Sequence, residues 1–251
     1  MENTQTNKSP MGNTDQKWKG LYTISGIFVI ISAVLSLLVA YNARILYSTG
    51  YPADPAAYLQ LVAQHQRLAN VTWSLWIVID FLGVAPAIAV YLILRRYNHA
   101  LALLGSLLAL FYAVYDFGTE LNSLTLVSLG SQYAAATNSA VKASLLGAAA
   151  YGYYALPLET VLSFAIGPIG YLLWCVPMAK SFFGRWMAII GVIVNIIGIL
   201  GAAAPVAPSS FFLGLCQFLC VRLIAIWSLI LGVQLLVHVY RAPKGQDSHA
   251  I

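Results

Sequence analysis

Six stretches of about twenty or more mostly apolar residues, each bounded by charges, proline or polar clusters, follow one another along the chain. They run Leu21 to Tyr41, Val71 to Leu94, Ala100 to Leu129, Tyr151 to Met178, Trp186 to Ala204 and Phe211 to Tyr240. A hydrocarbon layer of about 30 Å needs about 20 such residues as an α-helix, because the layer offers no water to bond an unpaired backbone. The expected fold class is all-α: a polytopic membrane protein with six transmembrane helices in one domain over 21–240, between polar tails over 1–20 and 241–251. Only 8% of the 251 residues are charged, too few for a water-soluble globule, where about a quarter are. No nucleic-acid partner is expected; membrane lipids are.

Thirteen Lys and Arg against eight Asp and Glu give a formal charge of +5, and their placement carries the information. If the N-terminus is inside, the cytoplasmic segments hold Lys8, Lys17, Lys19, Arg95, Arg96, Lys180, Arg185, Arg241 and Lys244, and the outer loops hold Arg44, Arg67 and Lys142. Both termini are therefore expected in the cytoplasm. The apolar run behind Met1 to Gly20 exceeds the length of a signal peptide and lacks a persuasive cleavage site, so the first helix is expected to be an uncleaved anchor.

In the first outer loop, Gly50, Pro52 and Pro55 mark turns, and about 55–68 is expected as a short helix with Tyr58, Leu61, Val62 and His65 on one face. Such a helix would lie on the outer surface or cap the bundle as a lid. The segment SQYAAATNSAVKASLLGAAA suits another interfacial piece or an extension of the helices beside it. The short inner turns RRYNHA and AKSFFGR predict tight hairpins. Gly105 and Gly191, each shortly after an inner turn, hint at a repeated hairpin. With Gly26, Gly83, Gly167, Gly170, Gly198, Gly201 and Gly214 they allow close helix packing. Pro86, Pro157 and Pro168 are expected to kink or interrupt their helices.

Four of the eight acidic residues fall inside the apolar windows: Asp80, Asp116, Glu120 and Glu159. Arg222 joins them, and a charge at the bilayer centre costs about 2.5 to 3.5 kcal/mol on insertion scales. Counting about 1.5 Å per residue puts Asp80 about 14 Å and Arg222 about 17 Å below the outer ends of their helices. All five are thus expected to meet in the outer half of the bundle. Tyr112, Asp116, Glu120 and Ser123 share a helical stripe, with Thr119 and Tyr115 beside it, and Trp73, Trp76 and Asp80 share another. Asn195 and Gln217 are placed to join. Arg222 is expected to hold one carboxylate in its charged form, and the other acids cannot all be ionised cheaply.

Three readings fit these residues. One is a structural network bridged by Arg222 that needs no ligand. Another is an outward-opening cavity lined by Trp73, Trp76, Tyr112 and Tyr115, with acids at its base, for a small cationic or amphiphilic ligand or for proton-coupled transport. The third is intramembrane catalysis on a lipid or isoprenoid, with Asp116, Glu120 or Glu159 as the protonating acid. Six short-looped helices make a small bundle for a transporter, which raises the expectation of a homodimer through glycine-rich faces. No metal or cofactor is expected. Cys175, Cys216 and Cys220 lack partners at metal-ligand spacing and read as packing residues. His65, His99, His238 and His249 offer no transmembrane pair for haem, and there is no Walker loop, dinucleotide fingerprint, HExxH or GxSxG.

The segments ILRRYNHALALLGSLLALFYAVYDFGTE, LETVLSFAIGPIGYLLWCVPMAKSFFGRWMAIIGVIVNIIGILG and LIAIWSLILGVQLLV resemble a bacterial integral membrane family, domain of unknown function 4386. The likeness rests on the basic turn after the second helix, the Arg-Trp entry to the fifth and a glycine in the last. It implies six helices in a bacterial inner membrane, and no reaction, substrate or catalytic residue.

Overall fold

The computed structural model describes residues 17–48, 52–207 and 209–241. The rest, with Lys8, Lys244, His249 and the turn expected at Gly50, lie outside the described residues. Among the described residues there are seven α-helices and no strand: α1 (Lys19–Leu46), α2 (Pro55–Gln64), α3 (Gln66–Leu94), α4 (His99–Ala135), α5 (Ser139–Met178), α6 (Gly184–Ala202) and α7 (Phe211–Arg241), with a 3-10 turn at Ala204–Val206. All but α2 are long and apolar enough to cross a membrane. The chain is an all-α, multi-pass membrane protein.

Local chemistry sets several boundaries. Asp54 caps α2 by accepting from the Ala57 amide at 2.8 Å, with Pro55 as the first helical residue, where its missing N–H costs nothing. Asn98 accepts from the Leu101 amide to start α4, and Asn138 from the Ala140 amide to start α5. Gly184 opens α6 at φ 84°, a left-handed conformation that suits glycine in so tight a hairpin. Pro86, Pro157 and Pro168 interrupt nothing: each lies inside a continuous helix. Pro86 and Pro168 face an internal cavity, where a carbonyl freed by proline can find polar company.

Helix α4 has 37 residues and α5 has 40, so at about 1.5 Å per residue both outrun a 30 Å layer. The small-residue segment after Gly130 therefore extends these two helices and leaves only a three-residue break between them. Their projecting ends make an apolar wall for α2, whose buried Tyr58, Leu59 and Val62 pack with Leu126, Val127, Ala149 and Tyr153. The Tyr153 hydroxyl donates to the Pro52 carbonyl at 2.7 Å, tying down the loop that enters α2. Helix α2 is thus shorter than expected and caps the bundle.

The six long helices form a ring. Each packs on the next in chain order, and α7 closes the circle on α1, with α2 over α4 and α5 at one end. Glycines supply the closest approaches: a Cβ on Gly26 would meet Leu236 at 2.8 Å, and one on Gly232 would meet the Gly26 carbonyl at 2.8 Å. Gly105 and Gly191 each receive a tryptophan from the following helix, Trp174 and Trp227 respectively. Both indoles are pinned, Trp174 donating to Ser106 Oγ at 3.0 Å and Trp227 to the Met187 carbonyl at 3.1 Å. Connectivity sorts the basic residues as well. Lys17, Lys19, Arg95, Arg96, Lys180, Arg185 and Arg241 fall at the hairpin-turn end, and Arg44, Arg67 and Lys142 at the α2 end.

Candidate functional site

Inside the ring lies a cavity of about 500 Å³. Its walls come from α1, α3, α4, α5 and α7, with Tyr47 and Tyr58 at the α2 end, and α6 contributes nothing. The lining on α3 runs from Trp73 to Val90 and on α5 from Leu156 to Trp174, so the cavity extends about 26 Å along the bundle at 1.5 Å per residue. Asp80, Asp116, Glu120 and Glu159 all face it, with Trp73, Trp76 and Tyr112. The two sequence stripes therefore do meet. Among the described residues, no Lys, Arg or His lines this space. No three His, Cys, Asp or Glu side chains among them converge as a metal-ligand set.

The four carboxyls differ in what holds them. Asp116 accepts from Ser163 Oγ at 2.5 Å and from Thr119 Oγ1 at 3.3 Å, and the Tyr112 hydroxyl faces it. Glu159 accepts from Asn122 Nδ2 at 2.9 Å, and the same amide reaches the Gly152 carbonyl at 3.2 Å, so one side chain joins α4 to two turns of α5. Asp80 and Glu120 are each 5% exposed, and Asp80 Oδ2 and Glu120 Oε2 are buried without a hydrogen-bond partner. The charges of Asp80 and Asp116 repel each other, and Glu120 feels both as well as Glu159. Tyr58, on α2 and outside the spans, faces the cavity as a neutral phenol, because burial and then Tyr47 push it well above the ordinary tyrosine range.

Towards the hairpin-turn end the lining becomes apolar and aromatic. Tyr171 stands 5.2 Å from Trp174 and 6.2 Å from Trp227, ring centre to ring centre, beside Val90, Ala109 and Leu231. Both indole N–H groups are already committed, so the tryptophans offer the cavity ring surface only. None of these three aromatics is among the residues the sequence singled out. The signal was present on α5, where Glu159, Ser163, Gly167, Tyr171 and Trp174 repeat at three and four residues.

The expected Arg222 pair is not formed. The α7 residues facing the cavity are Gln217, Cys220, Val221, Ile224, Ala225, Trp227, Ser228 and Leu231, and at about 100° per residue Arg222 points well away from the centre of that stripe. It shares its side instead with Phe218 and Ile226, which are 45% and 49% exposed. Its guanidinium bonds the Phe218 carbonyl and stacks 3.7 Å from the Phe218 ring centre; Arg44 is the charged group that acts on it. A long cationic side chain on a lipid-facing surface reaches toward the interface in this way. Asn195 also stays apart, on α6, where its Nδ2 donates to the Gly191 carbonyl at 2.7 Å and its Oδ1 is buried without a partner. Tyr115 is half-buried outside the cavity lining, its ring 6.3 Å from that of Phe111.

A family model described as a domain of unknown function, 4386, matches residues 20–238. No curated protein and no solved structure matches the chain.

Proposed function

From the premise that the chain belongs to the domain of unknown function 4386 family, whose description names no reaction, we propose that it binds small cationic or amphiphilic molecules in the acid-lined cavity and exchanges them for protons. The carrying observation is the set of four carboxyls around one cavity with no cationic side chain among the described residues of its lining. Carboxyls in such a low-dielectric space repel one another, so an entering cation takes the place of a proton. Tryptophan and tyrosine faces beside the acids favour an organic cation over a hydrated metal ion. The concentration of basic residues at the hairpin-turn end supports an orientation with both termini in the cytoplasm of a bacterial inner membrane and the α2 cap outside. On that orientation, a membrane-impermeant maleimide added to intact cells labels Lys142→Cys and leaves Lys180→Cys unlabelled; the opposite pattern reverses it.

The function is tested by a thermal-shift screen of the purified protein against amphiphilic cations, lipids and isoprenoids. A stabilising cation whose effect is lost in Asp116→Asn and in Glu159→Gln, and kept in Arg222→Gln, is the expected result. Variants that only lose stability, with no compound that stabilises the parent, would leave a structural network. Conversion of an isoprenoid to a new product in detergent would replace binding with acid catalysis.

A further inference from the structure

The four carboxyls are not equivalent, and the difference bears on what the cavity takes. Asp116 and Glu159 already have donors on their own walls: Ser163 and Thr119 for one, Asn122 for the other. Asp80 and Glu120 each keep one oxygen buried and without a donor, and both residues are only 5% exposed. A buried acceptor without a donor is destabilised, and once a carboxyl gives up its proton it is acceptor-only, so the need for a donor is greatest in the state that holds a cation. Both residues line the same cavity.

We infer that Asp80 and Glu120 are the ligand's seat, and that the ligand is a protonated amine carrying at least one N–H and an apolar body, which lies toward Tyr171, Trp174 and Trp227. This rests on the cavity reading above and narrows it. A quaternary ammonium brings charge but no N–H, and would leave Asp80 Oδ2 and Glu120 Oε2 as they are. A protonated amine supplies both the charge and the missing donor, and a charge-assisted hydrogen bond of this kind is about twice as strong as a neutral one. The faces of Trp76 and Trp73, one and two turns from Asp80 on the same side of α3, attract either kind of cation and so do not discriminate. Below the acids, the committed indoles leave an apolar wall that suits a hydrocarbon or ring system. Asp116 and Glu159 then act as positioning residues that tie α4 to α5 and hold the seat in shape.

The test compares two probes that differ by one methyl group, N,N-dimethyldodecylamine and dodecyltrimethylammonium, both cationic at neutral pH. Binding to the full chain in phosphatidylcholine nanodiscs is followed by tryptophan fluorescence, with empty nanodiscs subtracted. The amine is expected to bind about tenfold tighter or better than the quaternary cation. Asp80→Asn and Glu120→Gln should each weaken the amine by about tenfold and bring the two probes close together. Equal affinities in the unaltered protein, with both probes lost in the two variants, would overturn the N–H seat while leaving a cation cavity in place. An amine preference that persists in both variants would put the seat elsewhere, and no saturable binding of either probe would overturn the inference, leaving the wider cation screen to decide the cavity reading by itself. If a variant fails to fold, the two probes on the unaltered protein still decide the matter.

Discussion

Gly105→Leu is expected to yield no folded protein, with the detergent-extracted chain running as aggregate on gel filtration. A Cβ at this position would stand 2.6 Å from Trp174 Cδ1 and 2.8 Å from the Gly170 carbonyl, closer than real Cβ atoms come. Neither neighbour can yield easily. Trp174 is 4% exposed and held by its bond to Ser106, and Gly170 presents backbone rather than a flexible side chain. Even Gly105→Ala must push α4 and α5 apart, an overpacking that costs about 1–3 kcal/mol. A Gly105→Ala protein melting with the parent would mean that the two helices are not in this close register.

The same replacement on the preceding helix, Gly83→Leu, should do the reverse. Gly83 lines the cavity on the side of α3 that carries Asp80 and Ala87, and a Cβ there meets nothing within 4 Å. The new side chain has space, and replacing glycine inside a helix removes a penalty of about 0.5–1 kcal/mol. The protein should therefore melt at or above the parental temperature. The leucine occupies the volume a ligand would need, so the thermal shift produced by any stabilising compound should vanish. A Gly83→Leu protein that keeps the full shift would place the ligand outside this cavity.

The six spans were legible because length and hydropathy alone require them, and the acids on α3, α4 and α5 were legible as stripes because a helix repeats every 3.6 residues. The segment after Gly130 was legible only as two alternatives, an interfacial piece or an extension of its neighbours; poor in large apolar residues, it continues α4 and opens α5, with Tyr133, Leu146 and Ala149 in the cluster that packs on α2. The direction of Arg222 was not legible. Counting residues from the helix end estimates depth, whereas the direction of a side chain depends on how the helix is rotated about its axis, which one isolated Arg does not report. The neighbours would have reported it: Phe218 and Ile226, one turn to either side, are large and apolar and mark a lipid-facing strip, while Gln217, Cys220, Ser228 and the small Ala225 mark the inner face.

The closure of the ring between α1 and α7 has a consequence for biosynthesis. Every other wall joins helices that are neighbours in the chain and can pair as soon as both have been made, but Gly26 meets Gly232 only after the last helix leaves the ribosome. Until then Asp80, Asp116, Glu120 and Glu159 border an open trough, and carboxyls facing lipid are costly. A nascent chain that has not yet reached Phe211 thus carries its most unfavourable groups unenclosed, until α7 packs on α1 and shuts them in.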